Sequence, residues 1–175
     1  PLPSLGLLPS NAFLIKSEQP ILVDTGAINV RDQFMERLRA AIDPQDLRWI
    51  YLTHTDADHI GSLGQVLQEA PNARVITTFR GMGKMILYNL PTDRGYLLNP
   101  GQRLDVGDRE LVAVAPPSYD APESTGFVDT KTGNFFCVDC FGGLIPEPAE
   151  TAQDIPSDVL ARGIGMWATV DAPWL

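Results

Sequence analysis

Histidine and cysteine are scarce in this chain, with two of each among 175 residues. Two cysteines exclude the dense disulfide framework of small secreted domains. Basic residues are also few: 13 Lys and Arg stand against 22 Asp and Glu, for a formal net charge of −9. That deficit excludes nucleic acid as a principal partner, because phosphate binding needs a basic footprint. An acidic excess of this kind serves solubility and does not imply a cationic substrate. No stretch reaches the roughly eighteen consecutive apolar residues of a membrane span, so no membrane partner is expected. Pro1-Leu2-Pro3-Ser4-Leu5-Gly6 has no basic n-region, no apolar h-region and no initiating Met, so no leader is read there. These absences together make a cytoplasmic protein the expectation. Internal repeats and low-complexity tracts are lacking too.

What is present is ordinary globular composition, 44% hydrophobic and 8% aromatic, enough for a core within one domain spanning residues 1–175. Phe13-Leu14-Ile15 and Ile21-Leu22-Val23 read as paired strands around Ser17–Pro20. Val30, Phe34, Leu38, Ala41 and Ile42 share one helical face, stopped before Pro44. Trp49–Thr53 is a strand, Ile60 to Ala70 a helix, and Val75–Thr77 a strand. Phe79, Met82, Ile86 and Leu90 mark a third helix, in which Gly81-Met82-Gly83-Lys84 is too loose for a phosphate loop. Met82 and Met85 read as core or pocket lining. Strands follow at Leu104–Val106, Leu111–Ala115, Gly126–Val128 and Asn134–Val138, the last two joined by the turn Thr130-Lys131-Thr132-Gly133. Strands, then strand–helix alternation, then strands again predict mixed α/β layers. After Gly143 only Val159-Leu160-Ala161 hints at a helix.

The chemistry concentrates after the strand at Trp49. Both histidines sit in His54-Thr55-Asp56-Ala57-Asp58-His59, with two carboxylates between them. Imidazole with carboxylate is the ligand chemistry of zinc, iron and manganese, and a loop at the carboxyl end of a strand can turn such groups into one cavity. The alternative is a polar strand-to-helix loop with Asp58 as a helix cap.

His54-x-Asp56-x-Asp58-His59 after an apolar strand resembles the metal motif of the metallo-β-lactamase superfamily, with Asp56 where the usual pattern has His. Leu22-Val23-Asp24-Thr25-Gly26 looks like the strand and turn that the family places beneath its metals. Gly126-Phe127-Val128-Asp129 and Phe135-Phe136-Cys137-Val138-Asp139 look like its strands leading to the metal-bridging Asp. The resemblance covers residues 11 to about 143 and implies an α/β, metallo-β-lactamase-like αββα sandwich. It implies two divalent metal ions, iron or zinc. His54 and Asp56 would hold one metal with Asp120, and Asp58 and His59 the other, with Asp139 between them. Asp58 would also act catalytically by orienting the nucleophile, while Asp24 and Thr53 would fix ligand orientation from beneath. Asp120 enters by aligning Ala121-Pro122-Glu123-Ser124 on a family segment whose ligand is His; otherwise it is a turn residue before Pro122. Tyr119 and Glu123 are lesser candidates. The family's final His would fall beyond Leu175, so either the sandwich is C-terminally incomplete, with Trp167 and Trp174 covering a face left by the missing part, or the metal site lacks a ligand. Cys137 and Cys140 are read as structural, the alternative being that Cys140 approaches the metals.

The acidic Asp56 and Asp139-Cys140-Phe141-Gly142 are similar to one branch in particular, the flavodiiron and oxygen-binding di-iron proteins. Some DNA-uptake proteins of this fold share an Asp at the second position. Two function classes therefore follow, of which the first is the main reading because it needs no electron donor and no other domain, and the second is its alternative. The first is a metallo-hydrolase whose dinuclear site activates water against a small-molecule substrate. The second is a flavodiiron-like protein that binds or reduces dioxygen or nitric oxide, a diatomic gas, with an external electron donor. A degenerate binding module is a third. A homo-oligomer is compatible with each.

Overall fold

A computed structural model describes residues 6–174; Pro1–Leu5, where no leader was read, and Leu175 lie outside the described residues. The described residues fall into two compact units. The larger comprises Ser10–Ala115 and Ala121–Val138, and the smaller comprises residues 6–9, Pro116–Asp120 and residues 139–174.

The larger unit contains two sheets. The first joins β1 (Phe13–Ile15), β2 (Ile21–Val23), β3 (Trp49–Tyr51), β4 (Arg74–Thr77) and β5 (Gly95–Leu97) in that order. Only the β1–β2 pair is antiparallel; the rest are parallel. The second is an antiparallel meander of β6 (Arg103–Asp105), β7 (Glu110–Val114), β8 (Gly126–Asp129) and β9 (Phe135–Phe136). Four helices, α1 (Arg31–Ala41), α2 (Ala57–Ile60), α3 (Leu63–Glu69) and α4 (Phe79–Leu87), belong to the same unit.

Side-chain alternation along the strands explains the layering. Leu22, Ile50 and Val75 point to one face and pack with Met35 and Leu38 of α1, Leu63 and Val66 of α3, and Met85 of α4. Their neighbours Ile21, Val23, Trp49, Tyr51 and Ile76 point to the other face and meet Leu104, Leu111, Ala113 and Phe127 of the second sheet. A strand covered on both faces has no polar alternation, hence the unbroken Ile21-Leu22-Val23 and Trp49-Ile50-Tyr51. Each such buried aliphatic side chain stabilises the unit by about 2 kcal/mol. Helices, sheet, sheet are three of the four layers of the expected αββα sandwich.

Several boundaries differ from expectation. Val30 is exposed and precedes α1 as its N-cap, while Met35 takes the core position. The helix expected from Ile60 to Ala70 is broken into α2 and α3 around Gly61 and Ser62. The last strand ends at Phe136, because the chain leaves the ladder before Val138, a β-branched residue held at φ 62°. Strand β5 was not expected: it is three residues long and carries no alternation. Nor was the full length of α5 (Ser157–Asp171) in the smaller unit. Gly163 and Gly165 weaken its helical signal, yet a Cβ at Gly163 would stand 2.2 Å from the Leu144 carbonyl oxygen, so the glycine permits a close backbone approach. Among the described residues no helix is long and apolar enough to cross a membrane.

A charged cluster ties the turns of the second sheet. Arg109 bridges Asp108 and Asp129 at 2.8 Å each, and Lys131 Nζ reaches Asp108 at 2.5 Å. Hydrogen bonds from Arg109 and Lys131 hold the Asp108 carboxyl well below its usual range. Burial opposes the charge on Asp129, but bonds from the Lys131 amide, Thr132 and Arg109 outweigh it and hold that carboxyl low as well. Both groups bind protons less readily folded than unfolded, so their contribution is complete above the unfolded carboxylate value of about 4 and is lost as pH falls below it. The melting temperature is expected to be level from neutral pH to about 5 and to drop below about 4. Arg109→Met should lower the neutral plateau and flatten the acid slope in a thermal-unfolding pH series. An unchanged slope would show that the cluster does not set acid stability.

Candidate metal centre

The parallel pairing of β2 with β3 brings their carboxyl ends together, and the chain emerges there as Asp24 and as Leu52-Thr53-His54. Asp24 donates its amide to the Tyr51 carbonyl at 2.9 Å and takes φ 57°, a left-handed conformation that Asp tolerates better than most residues. The turn buries its carboxylate under the loop. Oδ1 accepts the Thr53 amide at 2.8 Å, Oδ2 accepts the Thr53 hydroxyl at 2.7 Å, and the same Oδ2 lies 2.9 Å from His59 Nδ1. A carboxylate oxygen here only accepts, so Nδ1 of His59 carries its proton and Nε2 is the nitrogen suited to a metal.

The loop is docked at a second point. The Thr25 amide and hydroxyl both donate to the His59 carbonyl, at 2.7 and 2.9 Å. The Gly61 amide donates to the Gly26 carbonyl at 2.8 Å, and the Arg31 guanidinium caps the Gly61 carbonyl. These bonds fix α2 against the Asp24-Thr25-Gly26 turn and account for the break between α2 and α3.

His54 and His59 are 1% and 5% exposed, with ring centroids 4.1 Å apart. Asp56 and Asp58 are more open. Asp56 Oδ2 lies 3.9 Å from His54 Nε2, and Asp58 Oδ2 lies 3.4 Å from His59 Nε2. The adjoining His59 imidazole is the main reason that the Asp58 carboxyl is held at about 2, against the opposing effect of burial. Asp58 is therefore a carboxylate at any physiological pH, available to a cation. It is not a helix cap: Asp56 holds that position, and its side chain makes no capping bond either. Two buried imidazoles beside Asp56 and Asp58, with Asp24 beneath, form a nitrogen- and oxygen-rich donor set that fits iron, manganese or zinc.

Six of the expected site residues thus converge in the larger unit: Asp24, Thr53, His54, Asp56, Asp58 and His59. Asp120 and Asp139 belong to the smaller unit. There Asp120 is exposed, and the Asp139 carbonyl accepts from the Gly142 amide at 2.9 Å and the Trp167 indole at 3.1 Å. Trp174 donates to the Tyr119 carbonyl, so both tryptophans anchor backbone in this unit. Cys140 is buried and receives the Ser118 hydroxyl. Thr25 and Gly61 were not singled out in the sequence, although Thr25 lies inside the quoted Asp-Thr-Gly turn.

The family profile described as ODP family beta lactamase matches residues 8–161. The chain belongs to this family. Its sandwich is shared with rubredoxin oxygen:oxidoreductase from Desulfovibrio gigas, at a TM-score of 0.86 and 19% identity over 95% of this chain and 41% of that one. A provisionally named diflavin flavoprotein, A 2, from a Nostoc species is 33% identical over 75% of this chain and 23% of its own length. An anaerobic nitric oxide reductase flavorubredoxin of Pectobacterium atrosepticum is 25% identical over 75% of this chain and 26% of its own length. The chain spans about a quarter of the length of these curated relatives. The expected αββα class holds for this family member. None of these relatives is named a hydrolase, and the redox alternative fits their names better than the hydrolytic reading does.

Proposed function

We propose that this ODP-family chain is the metal-holding part of a di-iron oxidoreductase that binds and reduces dioxygen or nitric oxide. The observation that carries the reading is the carboxylate-rich loop His54–His59 seated on Asp24, in a chain whose relatives are named for oxygen and nitric oxide chemistry. His54, Asp56, Asp58 and His59 would hold iron, with Asp120 and Asp139 proposed as further ligands on the sequence pattern alone. Bound iron would supply the electron-transfer and gas-binding chemistry that no side chain here possesses. The protein's own groups do the rest. Asp24 sets the tautomer of His59, Thr53 tethers that carboxylate, and burial of both rings keeps water from the imidazole faces. Asp56 and Asp58, more exposed, stand at the open side of the loop. Electrons must come from a donor, on the same polypeptide or a separate protein.

Anaerobic purification followed by metal analysis and optical spectroscopy tests this. Iron is expected, with a spectrum that changes on adding NO or oxygen and with gas consumption once a reductant is supplied. His59→Ala should lose most of the iron. Stoichiometric zinc, no gas-dependent change and turnover of an ester or lactone would return the protein to the hydrolases.

A further inference from the structure

A charged pair, a buried glutamate with a half-buried lysine, stands behind the metal loop, outside the set of ligands. Glu123 is 2% exposed. Its Oε1 accepts the Thr55 hydroxyl at 2.9 Å and pairs with Lys84 Nζ at 2.5 Å. Its carbonyl accepts the Thr78 hydroxyl, and Thr78 caps α4, the helix that carries Lys84. One residue pair further, the Thr125 amide donates to the Thr53 carbonyl at 2.8 Å. The segment Glu123–Thr125 is thus bonded to the metal loop at Thr53 and Thr55, and to α4 at Thr78 and Lys84.

Stability alone does not account for this pair. Glu123 is buried while Lys84 is half-buried, so the pair takes the carboxylate's charge out of water for the attraction of an ammonium that solvent still partly screens, and its net gain in stability is small. Glu123 Oε2 is buried without a hydrogen-bond partner among the described residues, so the carboxylate is not placed to maximise its bonds. Burial is the largest single influence on each partner and opposes its charge, but the hydrogen bonds and opposite charge around each together outweigh it, leaving the Lys84 ammonium above its ordinary value and the Glu123 carboxyl below. What the arrangement does fix is Thr55, itself buried, the residue between His54 and Asp56.

We propose that Glu123, held by Lys84, is a positioning residue for His54 and Asp56, acting through the Thr55 hydroxyl, so that it tunes metal affinity and metal geometry without touching the metal. The inference rests on the reading of His54 and Asp56 as ligands. Outer partners of metal ligands commonly change affinity by about 10- to 100-fold.

Anaerobic Co(II) titration of the intact protein, reading the visible absorption band and the dissociation constant, tests it. Glu123→Ala removes the acceptor but strands Lys84, so Thr55→Val is the deciding variant, since it keeps the ion pair and the shape and deletes only the hydroxyl. Thr55→Val is expected to weaken Co(II) binding about 10-fold or more and to shift the band, and Thr55→Ser to restore both. A Thr55→Val protein with wild-type affinity and an unmoved band overturns the positioning role, as does a Thr55→Ser protein that restores neither. A wild-type protein that binds neither Co(II) nor Fe(II) overturns the ligand reading instead, so the two failures are distinct.

Discussion

Asp24→Ala is expected to lower stability and metal affinity together, whereas Asp24→Asn should separate them. The alanine leaves the Thr53 amide, the Thr53 hydroxyl and His59 Nδ1 without the acceptor that now satisfies all three. Stranding buried polar groups of this kind costs about 1–3 kcal/mol each, with some relief from relaxation, so a loss of about 3–5 kcal/mol is expected in denaturant unfolding. Asparagine keeps an oxygen for the Thr53 amide and so retains much of the stability. Its amide nitrogen, however, turned toward His59, donates where Asp24 accepted. Nδ1 must then be the acceptor and the proton moves to Nε2, the nitrogen suited to a metal. Metal affinity should fall about 10- to 100-fold at a stability within about 1–2 kcal/mol of wild type. Equal losses of stability in both variants, with metal binding intact in Asp24→Asn, would reduce Asp24 to a structural acceptor.

The contrast between these two variants shows what was legible in the sequence. The histidine pair with its interleaved carboxylates could be read directly, because the ligands are adjacent along the chain. The Asp24-Thr25-Gly26 turn could be read only by resemblance. Nothing in its composition says that Asp24 adopts φ 57° and slides under Thr53, which is a consequence of parallel strand pairing. Lys84 and Glu123 lie 39 positions apart, and neither has a local pattern that foretells the other. Most of helix α5 beyond Val159-Leu160-Ala161 was missed because local propensity penalises Gly163 and Gly165, whereas the close approach of the Leu144 carbonyl depends on tertiary packing. The apolar strands, by contrast, were found nearly to the residue, since burial on two faces writes itself into a short run such as Ile21–Val23. Local ligands and doubly buried strands are legible; contacts made across the fold are not.

Gly61 is such a contact, and its replacement should have the other large effect. Its backbone is ordinary, at φ −60° and ψ −28°, so alanine meets no conformational objection there. The objection is spatial. A Cβ would lie 2.2 Å from the Ile28 nitrogen, 2.5 Å from the Ala27 carbonyl carbon and 2.7 Å from the Gly26 oxygen, all backbone atoms that cannot rotate away. Relief requires α2 and the 26–28 turn to part by roughly an ångström, which is overpacking at a rigid junction and costs about 3 kcal/mol or more. The same separation stretches the Gly61–Gly26 bond and both Thr25 bonds to the His59 carbonyl, so His59 drifts from Asp24. Gly61→Ala should therefore lower the denaturation midpoint and weaken Co(II) binding at least 10-fold, the range expected when an outer partner is displaced. Gly64→Ala is the matched control: it lies three residues further on, in α3, with open space where its Cβ would be, and alanine there should stabilise the helix by about 0.5–1 kcal/mol. If Gly61→Ala matched Gly64→Ala in both measurements, the turn would have to yield freely, and the docking of α2 on Asp24-Thr25-Gly26 could not be what holds His59 in place.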